Sequence, residues 1–347
     1  KTREDGIIME KIKTAEAGVG INGAHHINAY INNDKTELVG VCDLDSKKLE
    51  KIKEEYGVNV YTDLEELIKN EKPQIISVAT PDPYHFGPAK IVIENGIDVL
   101  VEKPLATTEE ECIQLIKLAK ENNVRIGVDF HKRWDPASIN LKLELEKEDT
   151  GKIIRGYTSM DDIIDVPVNW LPWSNNSSPA YFLGVHCYDL IRYLIEDEVE
   201  EVYAVGSKGV LRDMGIDTYD NVQAILTFRN GSTWTVENSW ILPNKFPKSN
   251  DGRMFILTEK KYLRSDSQNR GVEFFSETKT QTPNSYFITY RNNKAFGFGI
   301  DPINDFVDSV LNKGVFLSDA NDGLEATRIA DAVHESIRTK SIVKIKR

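Results

Sequence analysis

Three glycines spaced as G-x-G-x-x-G lie near the start of the chain, in the run GVGING that begins at Gly18. An apolar segment precedes this run and an amphipathic segment follows it, which predicts a strand, a tight turn and a helix. The N-terminus of a helix offers free N–H groups and the positive end of a dipole, so such a turn can bind a pyrophosphate. The pattern therefore predicts dinucleotide contacts from Gly18, Gly20, Ile21, Asn22 and Gly23.

An acidic residue stands where a dinucleotide site needs one. Asp43 ends the second predicted strand, about 20 residues after the glycines, and can accept hydrogen bonds from the adenosine ribose. A 2′-phosphate would meet its negative charge, so NAD is expected as the cofactor and NADP is less favoured. Lys47 and Lys48 lie close by in sequence and leave NADP open.

Acid–base chemistry is suggested by a lysine and a histidine. Lys103 follows the fifth predicted strand, in Glu102-Lys103-Pro104, and open α/β sheets bind ligands at the carboxyl ends of their strands. An ammonium group there can hold a substrate hydroxyl and stabilise a developing alkoxide. His186 can take the hydroxyl proton, since imidazole titrates nearest to neutrality. Taken alone, Lys103 is equally well explained as an ordinary solvent-exposed lysine, and His186 as a histidine packed in the protein core.

The elements that position these residues change character near residue 135. Strands alternate with helices over the first 130 residues, which predicts a doubly wound parallel sheet of the Rossmann type; its first helix is expected over Ala24–Asn33. Successive strands with hairpin signals follow, flanked by helices, which predicts a C-terminal α+β domain with a large, mainly antiparallel sheet. We expect a dinucleotide-binding domain over residues 1–134, with 1–8 as a possible extension, and a substrate-binding and oligomerisation domain over 135–347.

Short motifs in this order resemble the glucose–fructose oxidoreductase, inositol dehydrogenase and rhizopine catabolism (Gfo/Idh/MocA) family. They are Gly18-x-Gly20-x-x-Gly23-x-x-His26, Asp43, Ala79-Thr80-Pro81 with His85, Glu102-Lys103-Pro104, Arg133-x-x-Pro136 and Gly184-Val185-His186-x-x-Asp189. The resemblance implies that Thr80, Pro81, His85, Glu102 and Lys103 line the cofactor site. It also implies that Lys103 and His186 are catalytic, that substrates are sugars, inositols or related polyols, and that the protein is a homodimer or homotetramer.

One position departs from the family pattern. Many members carry an aspartate four residues before the histidine, where this chain has Phe182. We expect Tyr181–Ile195 to be helical, which would put positions 182 and 186 one turn apart on the same face. The change predicts a site for a substrate with a less hydroxylated edge, or for one that brings its own carboxylate to Lys103.

Further substrate contacts are predicted from residues with aromatic planes or polar groups, which suit carbohydrates. Taken singly, each is explained as well or better by packing. The candidates are His131, Arg133, Trp170, Trp173, Phe182, Asp217, Tyr219 and Trp240.

Composition excludes other classes of protein. The chain has 347 residues and a net charge of −12, which argues against a nucleic-acid or anionic-membrane partner. Cys42, Cys112 and Cys187 are scattered, so neither a disulfide framework nor a metal site is expected. No targeting or membrane-spanning pattern is evident, and we expect a cytoplasmic protein.

The function predicted from the sequence is hydride transfer between NAD and a sugar, inositol, related polyol or sugar acid. Two alternatives stay open. One is a catalytically silent dinucleotide-binding sensor or regulatory protein. The other is a hydrolase or epimerase that oxidises its substrate transiently with NAD.

Overall fold

The computed structural model describes residues 11–268, 270–278 and 280–347. The possible extension at residues 1–8 lies outside the described residues. The first part of the chain alternates strands and helices. Its elements are β1 (Ile12–Ala17), α1 (Ile21–Asn32), β2 (Thr36–Cys42), α2 (Ser46–Tyr56), β3 (Asn59–Tyr61), α3 (Leu64–Glu71), β4 (Ile75–Val78), α4 (Phe86–Glu94), β5 (Asp98–Glu102), α5 (Glu109–Asn122) and β6 (Ile126–Asp129).

The first sheet is parallel throughout, in the order β3-β2-β1-β4-β5-β6. Every residue of β4 and β6 is buried, because helices cover both faces of the sheet. Strand order reverses between β1 and β4, and open α/β sheets bind ligands at such a switch point. The predicted Rossmann-type sheet is confirmed. Helix α1 begins at Ile21, three residues before the predicted Ala24, with Gly20 at its N-cap.

The second part of the chain forms a larger sheet with flanking helices. Its elements are α6 (Pro136–Leu145), β7 (Ile153–Ile163), α7 (Val185–Ile195), β8 (Val199–Ser207), α8 (Val210–Asp213), β9 (Asn221–Phe228), β10 (Thr233–Leu242), β11 (Asn250–Thr258), β12 (Tyr262–Asp266), β13 (Phe274–Phe275), β14 (Thr280–Gln281), β15 (Thr289–Arg291), β16 (Lys294–Phe296), α9 (Asp301–Leu311), α10 (Ala320–Thr339) and β17 (Val343–Lys344). The strand order in this sheet is β12-β11-β7-β10-β9-β8-β17, and β7 with β10 is its one parallel pair. The prediction of a mainly antiparallel sheet is confirmed.

Helices α7 and α10 pack on one face of this sheet, where β9 buries Val222, Ala224 and Leu226. The side chains that alternate with these point to the other face, and Tyr203 and Ile225 are exposed there. The second sheet therefore leaves one face open in the single chain. Within the described ranges, no helix is both long enough and apolar enough to cross a membrane.

The segment before α7 differs from the predicted continuous helix. Ala180–Gly184 forms a π-helical turn, and regular α-helix begins only at Val185. The Ser178 carbonyl accepts hydrogen bonds from the amides of both Tyr181 and Phe182, at 3.1 and 2.9 Å. Because a π-helical turn has more residues per turn than an α-helix, positions 182 and 186 are not separated by one regular α-helical turn.

Candidate active site

The glycine-rich turn leaves open space above the N-terminus of α1. A Cβ on Gly18, where φ is +103°, would lie 2.6 Å from the Ala79 carbonyl carbon, and one on Gly23 would lie 1.8 Å from the Gly18 oxygen. A Cβ on Gly20 would meet no atom within 4 Å. The first helical bond to Gly20 comes from the Ala24 amide, so the amides of residues 21–23 lack intrahelical acceptors. This arrangement fits a pyrophosphate group.

Asp43 is fixed beside this turn. Its Oδ2 accepts a hydrogen bond from the Val19 amide at 2.8 Å, and its Oδ1 accepts one from the Asp45 amide at 2.9 Å. Each carboxylate oxygen has further lone-pair capacity, so Asp43 can also accept bonds from ribose hydroxyls. The residues of this edge therefore fit an NAD molecule, with the turn holding its phosphates and Asp43 its adenosine ribose.

The loops after β4 and β5 are joined by a buried histidine. The His85 ring nitrogens lie 2.6 Å from the Pro104 oxygen and 2.7 Å from the Thr80 oxygen. The Thr80 hydroxyl donates to the Tyr84 carbonyl at 3.0 Å. His85 thus holds the Thr80–Pro81 loop against the segment that carries Lys103. The same loop lies beside the glycine-rich turn, which Ala79 contacts.

Lys103 is buried and contacts Phe182. Its Nζ donates to the Phe182 carbonyl at 3.1 Å and lies 3.8 Å from the centroid of the Phe182 ring. Phe182 also packs on Trp240, with ring centroids 5.8 Å apart. The structure brings together Lys103 from the first sheet with the π-helical turn and β10 of the second, so the site lies where the two sheets meet.

Behind Lys103 lies a cluster of buried charged groups. The His26 Nε2 lies 3.5 Å from a Glu102 oxygen and 3.5 Å from an Asp129 oxygen, and its Nδ1 lies 3.9 Å from a Glu16 oxygen. We call these four residues the His26 cluster. Glu16 and Asp129 were not predicted; the one signal in the sequence is an acidic residue within each of two apolar strands.

The protonation of the His26 cluster follows from burial and charge. Burial lowers the pKa of His26, but Glu16, Asp129 and Glu102 outweigh it and raise that pKa well above its usual value. Burial raises the pKa of Glu16 well above the usual value. The cluster is thus an imidazolium among carboxyl groups. Ligand atoms of His26, Glu102 and Asp129 lie within 4.8 Å of one another, so these three could enclose a metal ion, a possibility that the sequence did not suggest.

Two neutral histidines lie near Lys103. The rings of His131 and His186 are 4.6 Å apart, and Phe287 lies 5.1 Å from His131. Burial, followed by the charge of Lys132, lowers the pKa of His131 to about 3. Burial also lowers the pKa of His186 well below its usual value, and His131 and Lys103 lower that pKa further. The His186 Nδ1 has no hydrogen-bond partner among the described residues, so a neutral imidazole is available to accept a proton.

A carboxyl group that was not predicted completes this group. Asp162 is buried near the end of β7, where its Oδ1 accepts a hydrogen bond from the side-chain amide of Asn250 at 2.8 Å. Burial raises the pKa of Asp162 to about 7, against the charges of Lys103 and Lys132. The indole of the fully buried Trp240 lies close enough to the Asp162 carboxyl to lower its pKa by hydrogen bonding. We call Lys103, Asp162, Phe182, His186 and Trp240 the lysine–histidine site.

Arg133 is engaged in a buried ion-pair network. Its Nε and Nη2 donate to the Asp189 carboxylate at 2.9 and 2.6 Å, and Nη2 lies 2.9 Å from Asp322. The guanidinium therefore holds α7 and α10 against the turn after β6. Its donors are directed at these partners and not at the lysine–histidine site.

The remaining predicted substrate contacts are spread over the second part of the chain. Trp173 is half-buried and its Nε1 has no partner in the described ranges, whereas Trp170 is exposed and donates to Asp165 at 2.8 Å. Asp217 forms an ion pair with Lys208 at 2.9 Å, and the Lys208 Nζ lies 5.0 Å from the Tyr219 ring centroid. Among the described residues, Asp217 and Tyr219 form no hydrogen bond, ion pair or ring contact with Lys103 or His186.

The first part of the chain has a parallel sheet with a dinucleotide turn at its switch point, and the second has a sheet covered by α7, which carries the buried His186. These features define a dinucleotide-binding protein with an additional α/β part. Family models support this at both ends. Residues 12–130 match the oxidoreductase family, NAD-binding Rossmann fold, and residues 157–345 match the C-terminal α/β domain of the same family. The chain belongs to the Gfo/Idh/MocA oxidoreductase family, so the resemblance and the expectation of an NAD-binding domain are confirmed.

Individual relatives are distant in sequence. The chain is 24% identical over 334 residues to an inositol 2-dehydrogenase of Rhizobium meliloti, which covers 94% of this chain and 97% of the relative. It is 26% identical over 234 residues to an inositol 2-dehydrogenase of Rubrobacter xylanophilus, which is 66% of this chain and just 65% of that protein. The structure of a Lactobacillus casei scyllo-inositol dehydrogenase with NAD(H) and scyllo-inositol has a TM-score of 0.83 at 18% identity, covering 97% of this chain and 99% of the other.

Proposed function

We propose that the protein is an NAD-dependent dehydrogenase that oxidises a secondary alcohol of a sugar, inositol, related polyol or sugar acid. The observation that carries the proposal is the pairing of a buried ammonium, Lys103, with an unprotonated histidine, His186, at the carboxyl edge of an NAD-binding sheet. The relatives named above act on inositols, which supports a hydroxylated ring or chain as the substrate.

In the proposed reaction the alcohol carbon loses a hydride and its oxygen loses a proton. NAD, when bound, accepts the hydride. Lys103 donates a hydrogen bond to the reacting oxygen and stabilises the developing alkoxide, which a cation in a dry site does far better than in water. His186 accepts the hydroxyl proton, and its lowered pKa keeps it unprotonated at neutral pH, before the reaction.

Phe182 supports one alternative. Because its carbonyl and ring cover the Lys103 ammonium, a chain of this form could bind NAD as a sensor without turnover. We favour catalysis, since Lys103 and His186 are both present and, within the described ranges, neither forms an ion pair with a carboxylate. An enzyme that oxidises transiently for hydrolysis or epimerisation would release product without net NADH, which product analysis without added NAD would detect.

The test is NADH formation with a panel of sugars, inositols and sugar acids, for the wild type and for Lys103→Met and His186→Gln. A positioned acid or base contributes roughly 10²–10⁴-fold, so each variant should lose that much turnover while its Kd for NAD is kept. Lys117→Met is the matched control, since Lys117 lies exposed on α5. Near-normal turnover in either site variant would remove that residue from the mechanism, and no NADH with any compound would favour the sensor.

We also propose a homodimer or homotetramer built through the open face of the second sheet. Tyr203, Ile225, Thr235, Tyr157 and Phe255 are successive cross-strand neighbours there, and a shallow groove on this face is lined partly by Tyr157 and Phe255. Apolar side chains in such a row favour a partner surface. Light scattering should give two or four times the chain mass of 39.3 kDa.

We further propose that the protein is cytoplasmic, that its two domains meet between residues 134 and 135, and that it has no nucleic-acid or membrane partner.

A further inference from the structure

Three lysines near the lysine–histidine site lack an ion-paired carboxylate. The Lys103 Nζ donates to the Phe182 carbonyl and lies over the Phe182 ring, and the Lys132 Nζ lies 5.3 Å from the Phe298 ring centroid. The Lys248 ammonium donates to the Ser267 carbonyl. Among the residues that the structure describes, none of these three lysines forms an ion pair with a carboxylate.

The two acids that act on Lys132, Asp135 and Asp162, form no ion pair with it in the described part of the chain. Asp135 is occupied by Arg270, which donates to both of its oxygens at 2.6 and 2.8 Å. Asp162 is the other acid whose charge acts on Lys132, and burial raises its pKa to about 7, so it carries only part of a negative charge at neutral pH. His131 and His186 are neutral, and the Glu102 carboxylate next to Lys103 is engaged by His26 at 3.5 Å. Within the described residues, neither Lys103 nor Lys132 therefore has an ion-paired carboxylate.

An ammonium without an ion-paired carboxylate has a free-energy cost in the free protein. Burial lowers the pKa of Lys132, and the nearby Arg270 lowers it further, while Asp135 raises it. Burial lowers the pKa of Lys248 as well, with Arg270 and Lys132 contributing. A partly buried ammonium without a counter-ion is unfavourable. An anion bound beside it would remove that penalty and gain a charge-assisted hydrogen bond.

We propose that the substrate carries a carboxylate and that Lys132 binds it, while Lys103 holds the reacting hydroxyl. This rests on the proposed function and narrows it to hydroxy acids of the sugar-acid class. Lys132 lies in the turn after β6, next to His131, whose ring is 4.6 Å from that of His186. Its charge acts on both His186 and Asp162.

A carboxylate fits better than a phosphate. Lys103 is required at the reacting oxygen and the Lys248 ammonium already has an acceptor, which leaves Lys132 as the uncommitted cation among these three lysines. A single positive charge matches a carboxylate. A doubly charged phosphate would stay half-compensated, close to Asp162. The aromatic ring of Phe298 beside Lys132 keeps water away and strengthens the ion pair.

The experiment compares matched substrates with NAD: glucose with glucuronate, galactose with galacturonate, and glucose 6-phosphate as the phosphate arm. The wild type should have a kcat/KM at least ~10-fold higher for an acid than for its neutral partner, since a hydrogen bond between charged groups contributes on this scale. A preference for the neutral sugars or for the phosphate would overturn the proposal. If no compound of any kind is oxidised, the proposed function itself fails, which is a different result.

Variants test Lys132 directly. In Lys132→Met the KM for the acid should rise ~10–100-fold while turnover of the neutral sugar changes less than twofold, and Lys132→Arg should restore most of the acid preference. Lys245→Met, an exposed lysine of the same loop as Lys248, should behave as wild type. An equal loss on acid and neutral substrates in a variant that still binds NAD would show that Lys132 is structural and would refute its role. Should Lys132→Met not fold, the substrate preference of the wild type still decides the proposal.

Discussion

Glu16→Gln tests the protonation assigned to the His26 cluster. Glu16 is fully buried in β1 and neither of its oxygens has a hydrogen-bond partner among the described residues. Burial raises its pKa well above the usual value, Glu102 adds to this, and His26 opposes it. Burial therefore favours the protonated carboxyl in the folded chain at pH values where an unfolded glutamate is ionised, and glutamine is a neutral group of the same size.

The magnitude follows from proton linkage. An unfolded glutamate ionises near pH 4.3, so above that pH wild-type Glu16 must take up a proton on folding, at ~1.36 kcal/mol per pH unit until its folded pKa is reached. The contribution of Glu16 is thus present at low pH and lost as pH rises. The glutamine variant has no such loss. Between pH 5.5 and 7.5 the variant should gain up to ~2.7 kcal/mol in free energy of unfolding relative to wild type.

The assay is urea unfolding of both proteins at pH 5.5, 6.5 and 7.5. Subtracting the wild-type free energy of unfolding from that of the variant cancels the contributions of other titrating groups. One of them is His186, whose lowered pKa makes stability rise with pH, opposite to the effect of Glu16. Glu37→Gln is the matched control on the neighbouring strand β2; its exposed side chain is in water in both states, so its curve should run parallel to wild type. The reasoning is wrong if the Glu16→Gln curve is also parallel, or if the gap narrows as pH rises.

Three further changes probe the cofactor turn and Phe182. In Gly20→Ala the added methyl meets no protein atom, so stability should stay within ~1 kcal/mol of wild type, whereas the Kd for NAD should rise at least ~10-fold because the methyl enters the phosphate space; unchanged NAD titration would exclude this turn as the phosphate site. Asp43→Asn keeps an acceptor for the Val19 amide but removes the charge, so the Kd for NADP should fall ~10-fold, about 1.4 kcal/mol, with little change for NAD; a wild type that already prefers NADP would contradict this. In Phe182→Asp a carboxylate replaces the ring over Lys103, so activity with acidic substrates should fall ~10-fold or more and myo-inositol activity should rise; if neither rate moves, Phe182 lies outside the site.

The first sheet and its cofactor turn were predictable from sequence because their signals are local. A strand buried on both faces is apolar along its whole length, and the glycine spacing of the turn follows from contacts within a few residues, as the approach of Gly23 to the Gly18 oxygen shows. The start of α1 was placed three residues late, because Ile21 is exposed and adds nothing to the buried face of the helix.

The second part of the site depends on long-range contacts that no local pattern reveals. An acidic residue in an apolar strand, such as Glu16, Asp129 or Asp162, indicates a special environment but not which side chains supply it. The π-helical turn at Ala180–Gly184 was predicted as ordinary helix because apolar spacing does not distinguish the two over five residues. Arg133 was assigned to the substrate, although its partner Asp189 lies 56 residues further along the chain.

Phe182 determines what the Lys103 ammonium contacts in its buried site. On one side, the Glu102 carboxylate is engaged by His26 at 3.5 Å. On the other side lies Phe182, at the position where many family members have an aspartate. The π-face of its ring attracts the ammonium, but far more weakly than a buried carboxylate would. A carboxylate there would bind the ammonium strongly and satisfy it. With phenylalanine the ammonium is held in place but not neutralised, so a substrate oxyanion gains the full interaction when it forms.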